Sequence, residues 1–301
     1  MSNSPLAISR TAFITLLVLA WIFGANHVAA RVAFNHGVDV STAVAVRSLV
    51  TAGVVALLVF LQSVPRTLSR GEVRVLLGIS VLLGIQSFAV YSSVARIPVA
   101  LALLTFNTYP LWTSLFARLL YGHRPERAVL LAIPVLLFGL VLALDVLGAA
   151  SGLGAAAQWG RIGTGVAFAL LAGAVFGLAL VLTQHEVAQV DGRVRTVFTL
   201  GLVGLIGLVA VGFQGGFHLP TATPGWWGLA LLSLCYGTAF TIMFTLLPKL
   251  GVVGSSPILN MEPVAALVLA WLFLDQAFAP SQVAGALLVV GTVMALGLRR
   301  R

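Results

Sequence analysis

Residues 88–144 read FAVYSSVARIPVALALLTFNTYPLWTSLFARLLYGHRPERAVLLAIPVLLFGLVLAL, and residues 236–296 read YGTAFTIMFTLLPKLGVVGSSPILNMEPVAALVLAWLFLDQAFAPSQVAGALLVVGTVMAL. A shift of 153 residues lays much of the first on the second: Tyr91 meets Phe244, Arg96 meets Lys249, Asn107 meets Asn260, Pro110 meets Pro263 and Leu119 meets Leu272. The same offset, carried outward, pairs Phe23 with Phe176, Gly24 with Gly177, Leu76 with Leu229, Ser80 with Ser233 and Gly84 with Gly237. The chain is an internal duplication.

Each copy is built from long apolar runs. Of the 301 residues 60% are hydrophobic and 8% charged, with a mean hydropathy of +1.08, a composition that no water-exposed surface accommodates. A helix needs about 20 apolar residues to cross a bilayer. Ten such runs are present: Thr11–Ala33, Val40–Gln62, Val73–Ala95, Val99–Leu120, Ala128–Leu147, Ile162–Gln184, Val194–Phe213, Trp226–Pro248, Ser256–Leu274 and Ser281–Leu298. They are continuously apolar, without the alternation of barrel strands, so the predicted fold is all-α with ten transmembrane helices. The first run is too long for a signal-peptide core and has a counterpart later in the chain, so it is read as a retained span.

Residues 1–147 form the first repeat, 148–160 a Gly- and Ala-rich linker, and 161–301 the second repeat. Five spans per repeat make the copies antiparallel in the membrane. Loop charge agrees: Arg66, Arg70, Arg124 and Arg127 punctuate the first repeat, whereas the matching loops of the second, 214–225 and 275–280, hold no Lys or Arg. The positive-inside rule then places both termini in the cytoplasm, in a bacterial-type inner membrane. The formal charge of +9 sits between the runs and forms no basic face, so nucleic acid is not an expected partner. Cys235 stands alone inside a span and reads as packing.

Residues 236–296, with their first-repeat partner, resemble the repeat of the drug/metabolite transporter superfamily, EamA type. The strongest marks are Glu262-Pro263 and the glycines Gly139 and Gly291 in the last span of each half. The Gly-Glu pair usual after the fourth and ninth spans is replaced here by Gly122-His123 and Asp275-Gln276. The resemblance implies a central cavity between helices 1, 3, 4, 6, 8 and 9, and export of small metabolites, commonly amino acids. Inverted repeats themselves point to alternating access with a site near mid-membrane.

Candidate cavity residues are Trp21, His27, Gln86, Tyr91, Asn107, Tyr236, Thr238 and Asn260. Glu262 is the one acid deep within a span and the candidate for proton coupling; the competing reading is repair of the helix break that Pro263 imposes. Arg47, also within a span, is the candidate for binding an anionic group, against a snorkelling or structural role. Counting about 1.5 Å per residue places His27, Arg47 and Asn107 in an outer tier and Asn260 and Glu262 in an inner one, which argues against a Glu262–Arg47 pair. His27 reads as a core hydrogen-bonding residue or a pH-sensitive gate. Asn107 and Asn260 each precede a proline by three residues and mark symmetric helix breaks.

With no HExxH, P-loop or clustered carboxylates, no catalytic residue, metal or cofactor is expected. The expected partners are a small-molecule substrate and the lipid bilayer, the oligomeric state being monomer or homodimer. An uptake carrier, a proton-independent exchanger, a lipid-modifying enzyme and a membrane scaffold are the alternatives to an exporter.

Overall fold

A computed structural model describes residues 10–65, 67–123, 127–245 and 257–299. Among them every regular element is helical: α1 (Arg10–Asn35), α2 (Val40–Leu61), α3 (Arg70–Arg96), α4 (Val99–Phe106), α5 (Tyr109–Tyr121), α6 (Arg127–Ala143), α7 (Ala155–Glu186), α8 (Gly192–Phe213), α9 (Thr223–Thr245), a 3-10 turn (Pro257–Met261), α10 (Glu262–Leu274) and α11 (Pro280–Arg299). Seven segments are long and apolar enough to cross a membrane, α4 and α5 counting as one, and three shorter apolar helices accompany them. Phe60, Leu131, Phe138, Phe213, Trp227 and Phe273 are all exposed, an inside-out distribution that suits a lipid solvent. Lys249, Arg66, Arg124 and the side chain of Asn260 lie outside what is described.

The repeats are interleaved. α1 lies on α9 and α10, and α7 lies in the same way on α3 and on the broken pair α4–α5; α2 crosses α8, and α6 crosses α11. Each repeat therefore places its first helix on the third and fourth helices of the other. Small residues make the close approaches, as expected where lipid gives helices no hydrophobic reason to associate. A Cβ on Gly207 of α8 would stand 2.8 Å from the Ala45 Cα of α2, and one on Gly285 of α11 would stand 2.5 Å from the Gly139 carbonyl of α6.

The offset survives at atomic scale. A Cβ on Gly24 would meet the backbone N of Ala266 at 2.9 Å, and one on Gly177 would meet the backbone N of Thr113 at 2.8 Å, both glycines and both partners being 153 residues apart. Both prolines also break their helix as anticipated. Pro110 has no N–H for the Phe106 carbonyl, so α4 stops after eight residues and α5 restarts at Tyr109. Pro263 follows the 3-10 turn and opens α10.

Two boundaries move. The anticipated linker 148–160 is helical from Ala155, because Ala-Ala-Ala-Gln favours helix and Gln158, almost wholly buried, donates to the Leu144 carbonyl. The real turn is 144–154, folded round Asp145, whose carboxylate accepts from the N–H groups of Ala150 and Ser151. α3 starts at Arg70, ahead of Val73, because Ser69 and Glu72 form a capping box.

Candidate functional site

Five helices converge on a buried polar cluster. From α1 come Asn26 and His27, from α2 Arg47, from α3 Gln86, Ser87 and Tyr91, from α9 Tyr236, and from α10 Glu262. The Gly24 contact is what makes the first and last meet: it lets α1 touch the α10 backbone one turn before His27, and the His27 Nε2 then lies 3.3 Å from Glu262 Oε1. Glu262 sits in the first turn of α10, where the helix dipole favours a negative charge. Tyr109, at the matching start of α5, is within electrostatic reach of Glu262.

Arg47 is 3% exposed, and among the described residues no carboxylate pairs with it. Its guanidinium lies 4.1 Å from the centre of the Tyr236 ring and 5.0 Å from that of Tyr91, and its Nη2 donates to Ser87 Oγ at 3.0 Å. Each aromatic face stabilises a desolvated cation by on the order of 2 kcal/mol, which softens its burial without neutralising it. Tyr91, wholly buried, joins the two charged ends. Its hydroxyl accepts from Asn26 Nδ2, and its ring stands 5.7 Å from the His27 ring, edge to face. The Asn26 Oδ1, His27 Nδ1 and Arg47 Nε are buried with no hydrogen-bond partner among the described residues. The order is thus Ser87, Arg47, Tyr91, His27, Glu262: a fixed cation at one end and a titratable pair at the other.

This merges the two tiers that residue counting gave. His27 and Glu262 are in contact, and Arg47 is separated from them by one tyrosine ring. The ninth span is not one helix: a 3-10 turn precedes α10, a break that a count along one straight helix does not register. Arg47 is buried among aromatic rings and does not snorkel.

Of the remaining sequence candidates, Gln86 touches the cluster through Ser87, whose hydroxyl donates to its Oε1 at 3.4 Å. Asn107 serves the break after α4, donating to the Leu103 carbonyl. Trp21 lies with Ile14 and Val18 on an exposed apolar stripe of α1, and Thr238 lies on the exposed stripe of Trp227, Leu231 and Leu234 on α9; neither reaches the cluster. Helical spacing explains both, since depth in the membrane says nothing about which face a residue occupies. Asn260 falls outside the described side chains. Asn26, Ser87 and Tyr109 were not singled out from sequence. The signal was there for the first two: their repeat partners are Ala179 and Phe240, so the polar groups serve no symmetric purpose.

The cationic ends elsewhere are structural. Arg31 of α1 donates to the carbonyls of Val94 and Ile97 at the end of α3, and Arg96 donates to the Ser92 carbonyl of its own last turn.

The model of the EamA-like transporter family matches this chain twice, over residues 10–144 and 163–298. The chain belongs to the EamA-like transporter family. The two matches coincide with the two repeats, and the family is one of membrane transporters, not enzymes. A solved structure titled "Crystal structure of protein" shares its fold, with a TM-score of 0.62 at 19% identity, covering 98% of each chain. No curated protein matches it in sequence.

Proposed function

We propose that this EamA-like transporter is a secondary exporter of small metabolites, amino acids foremost, working by alternating access in the inner membrane with ten spans and both termini in the cytoplasm. The observation that carries the reading is the pairing of a buried, carboxylate-free Arg47 with a His27–Glu262 pair one tyrosine away. A carried carboxylate meets Arg47, and an ammonium group meets Glu262. A proton bound by Glu262 competes with that ammonium and with His27, which is how inward proton movement drives outward substrate movement. The interleaved packing supports two moving bodies, α1 with α9 and α10 against α7 with α3, α4 and α5. Neither body is a sequence half.

The test is flux. Purified protein in liposomes is offered labelled amino acids, nucleobases and cationic drugs, with and without a pH gradient. Amino acids are expected to move, faster with the interior substrate pool at higher pH than the outside, and Glu262→Gln is expected to abolish the gradient dependence. Flux of no class would overturn the transporter reading; gradient dependence that persists in Glu262→Gln would overturn the coupling.

A further inference from the structure

Hydroxyls inside helices commonly give their proton to the carbonyl four residues earlier, and here Thr15, Ser80, Thr105, Thr199, Ser233 and Thr292 all do so. Ser48 and Thr51 of α2 do not. Both are 0% exposed, and neither oxygen has a hydrogen-bond partner among the described residues. Ser93 on α3 is the other such hydroxyl among the described residues. Arg47, the neighbour of Ser48, contributes a third buried and unpartnered group, its Nε.

Thr51 links the other two groups: it is one helical turn from Arg47 and three residues from Ser48, so its side chain stands beside each of them. The Arg47 side of α2 points at α9: Arg47 lies over the Tyr236 ring, and Val54, one turn beyond Thr51, has its Cγ2 at 3.8 Å from where a Cβ of Gly237 would stand. Thr51 falls between these two contacts. The repeat partners of Arg47, Ser48 and Thr51 on α8 are Leu200, Gly201 and Gly204, so the α2–α8 crossing is built without any polar group at these positions.

We propose that Arg47, Ser48 and Thr51 form a donor seat for one compact, singly charged oxyanion, the carboxylate of the carried metabolite, and that Ser48 and Thr51 determine specificity within it. The inference rests on the transport reading above and adds to it the residues and the charge that the site accepts. A guanidinium only donates and a hydroxyl is able to, so the three together suit an acceptor with several lone pairs. A single guanidinium balances a single negative charge. A phosphate monoester, doubly charged near neutral pH, would leave one charge uncompensated in a buried setting. The seat therefore selects carboxylates over phosphate esters.

The experiment uses the full-length protein in detergent at about pH 8.5, where inorganic phosphate is almost wholly doubly charged, titrated with sodium acetate, sodium chloride or sodium phosphate at constant ionic strength maintained with sodium sulfate, with the thermal unfolding midpoint as readout. Acetate is expected to raise the midpoint saturably. Thr51→Val and Ser48→Ala are each expected to raise the half-saturating acetate concentration by about tenfold, the effect of one hydrogen bond to a charged group. Thr51→Ser should restore binding, and Thr292→Val, whose hydroxyl is bonded within its own helix, should leave it unchanged. Should Thr51→Val fail to fold, Ser48→Ala with Thr51→Ser makes the same comparison. A saturable effect of chloride without one of acetate assigns the groups to an inorganic ion and overturns the proposal. So does phosphate binding as tightly as acetate, the absence of any saturable acetate effect, or equal acetate binding in Thr51→Val. Liposome flux separates this failure from failure of the transport reading. Acetate binding that the variants weaken, without amino-acid flux, leaves the seat and removes the exporter; amino-acid flux whose KM is unmoved in Thr51→Val leaves the exporter and removes the seat.

Discussion

The contact of α1 with α10 and the contact of α7 with α5 are the same contact made twice. Gly24 meets Ala265 and Ala266 in one, and Gly177 meets Trp112 and Thr113 in the other. What surrounds them differs. Beside the first stand Asn26, His27 and Glu262; at the matching positions of the second stand Ala179, Leu180 and Tyr109. Arg47 corresponds to Leu200, and Ser87 to Phe240. On the second side the space is filled by an aromatic group, with the Phe106, Tyr109 and Phe176 rings within 5.2 to 5.7 Å of one another. Gly24 and Gly177, with Pro110 and Pro263, obey the duplication, and they build the shared contact and the shared helix break. Arg47, His27 and Glu262 break it, and they build the polar cluster.

The sharpest way to break this comparison is to impose the symmetry that the chain has lost. Arg47→Leu installs the residue that its partner position already holds. With both Tyr rings retained the helix should still pack, so the thermal unfolding midpoint should change little. Transport of the amino acid identified in liposomes should fall by about a hundredfold or more, the loss of a buried charged hydrogen-bonding partner being about 3 kcal/mol. Equal flux in Arg47→Leu and wild type would mean that the asymmetry has no part in function.

The converse prediction touches what is shared. Gly24→Ala and Gly177→Ala each force a Cβ within 3 Å of a neighbouring backbone nitrogen, and both should destabilise the protein by about 1–3 kcal/mol, as overpacking does. Their unfolding midpoints should shift together. Only Gly24→Ala should also alter the pH dependence of flux, because only that contact sets the His27–Glu262 distance. Matching flux defects in the two variants would show that the contacts are functionally equivalent.

How much of this was legible in the residues follows the same division. Helical class, duplication, the breaks at Pro110 and Pro263 and the placing of Arg47 and Glu262 within the helix bundle could be read because each leaves a one-dimensional mark: hydropathy, an offset, a missing N–H, a charge in an apolar run. The His27–Glu262 contact could not, because it depends on how closely α1 packs on α10 at Gly24, which is a property of two helices and not of one stretch of sequence. A depth count does not register the helical face: Thr238, 4 and 7 residues beyond Leu234 and Leu231, shares their exposed stripe on α9. The interleaving of the repeats also leaves no mark in either copy, since it is a property of their packing. Asn26 and Ser87 do leave a mark, as polar residues that the 153-residue offset pairs with Ala179 and Phe240.

The smallest expected effect lies at the helix caps, where the two repeats are alike once more. Asp39 caps α2 by accepting from the N–H groups of Ser41 and Thr42, and Asp191 caps α8 by accepting from that of Arg193. Burial pushes the Asp39 carboxyl up, but hydrogen bonds from Thr42, Gln214 and Ser41 outweigh it and hold the group below its ordinary value of 3.8. The Asp191 carboxyl is held down first by its hydrogen bond with the Arg193 side chain. A carboxyl depressed in the folded state stabilises it fully above the unfolded pKa and loses that contribution as pH falls through the folded one. Asp39→Asn keeps the capping oxygen and removes the charge. It should lower the unfolding midpoint slightly at pH 7, by the few tenths of a kcal/mol that a screened charge at a helix start contributes. Wild type and variant should begin to converge as the pH falls past the unfolded carboxyl value of 3.8, and should meet only below the lower folded value, where the carboxyl is protonated in both states. Asp191→Asn should behave likewise with a larger gap at pH 7, because its partner is a permanent cation, whereas that of Asp39 is His218, 3.5 Å away. A gap for Asp39→Asn that widens in acid would show that the carboxyl is not depressed in the fold and that the two caps differ in kind.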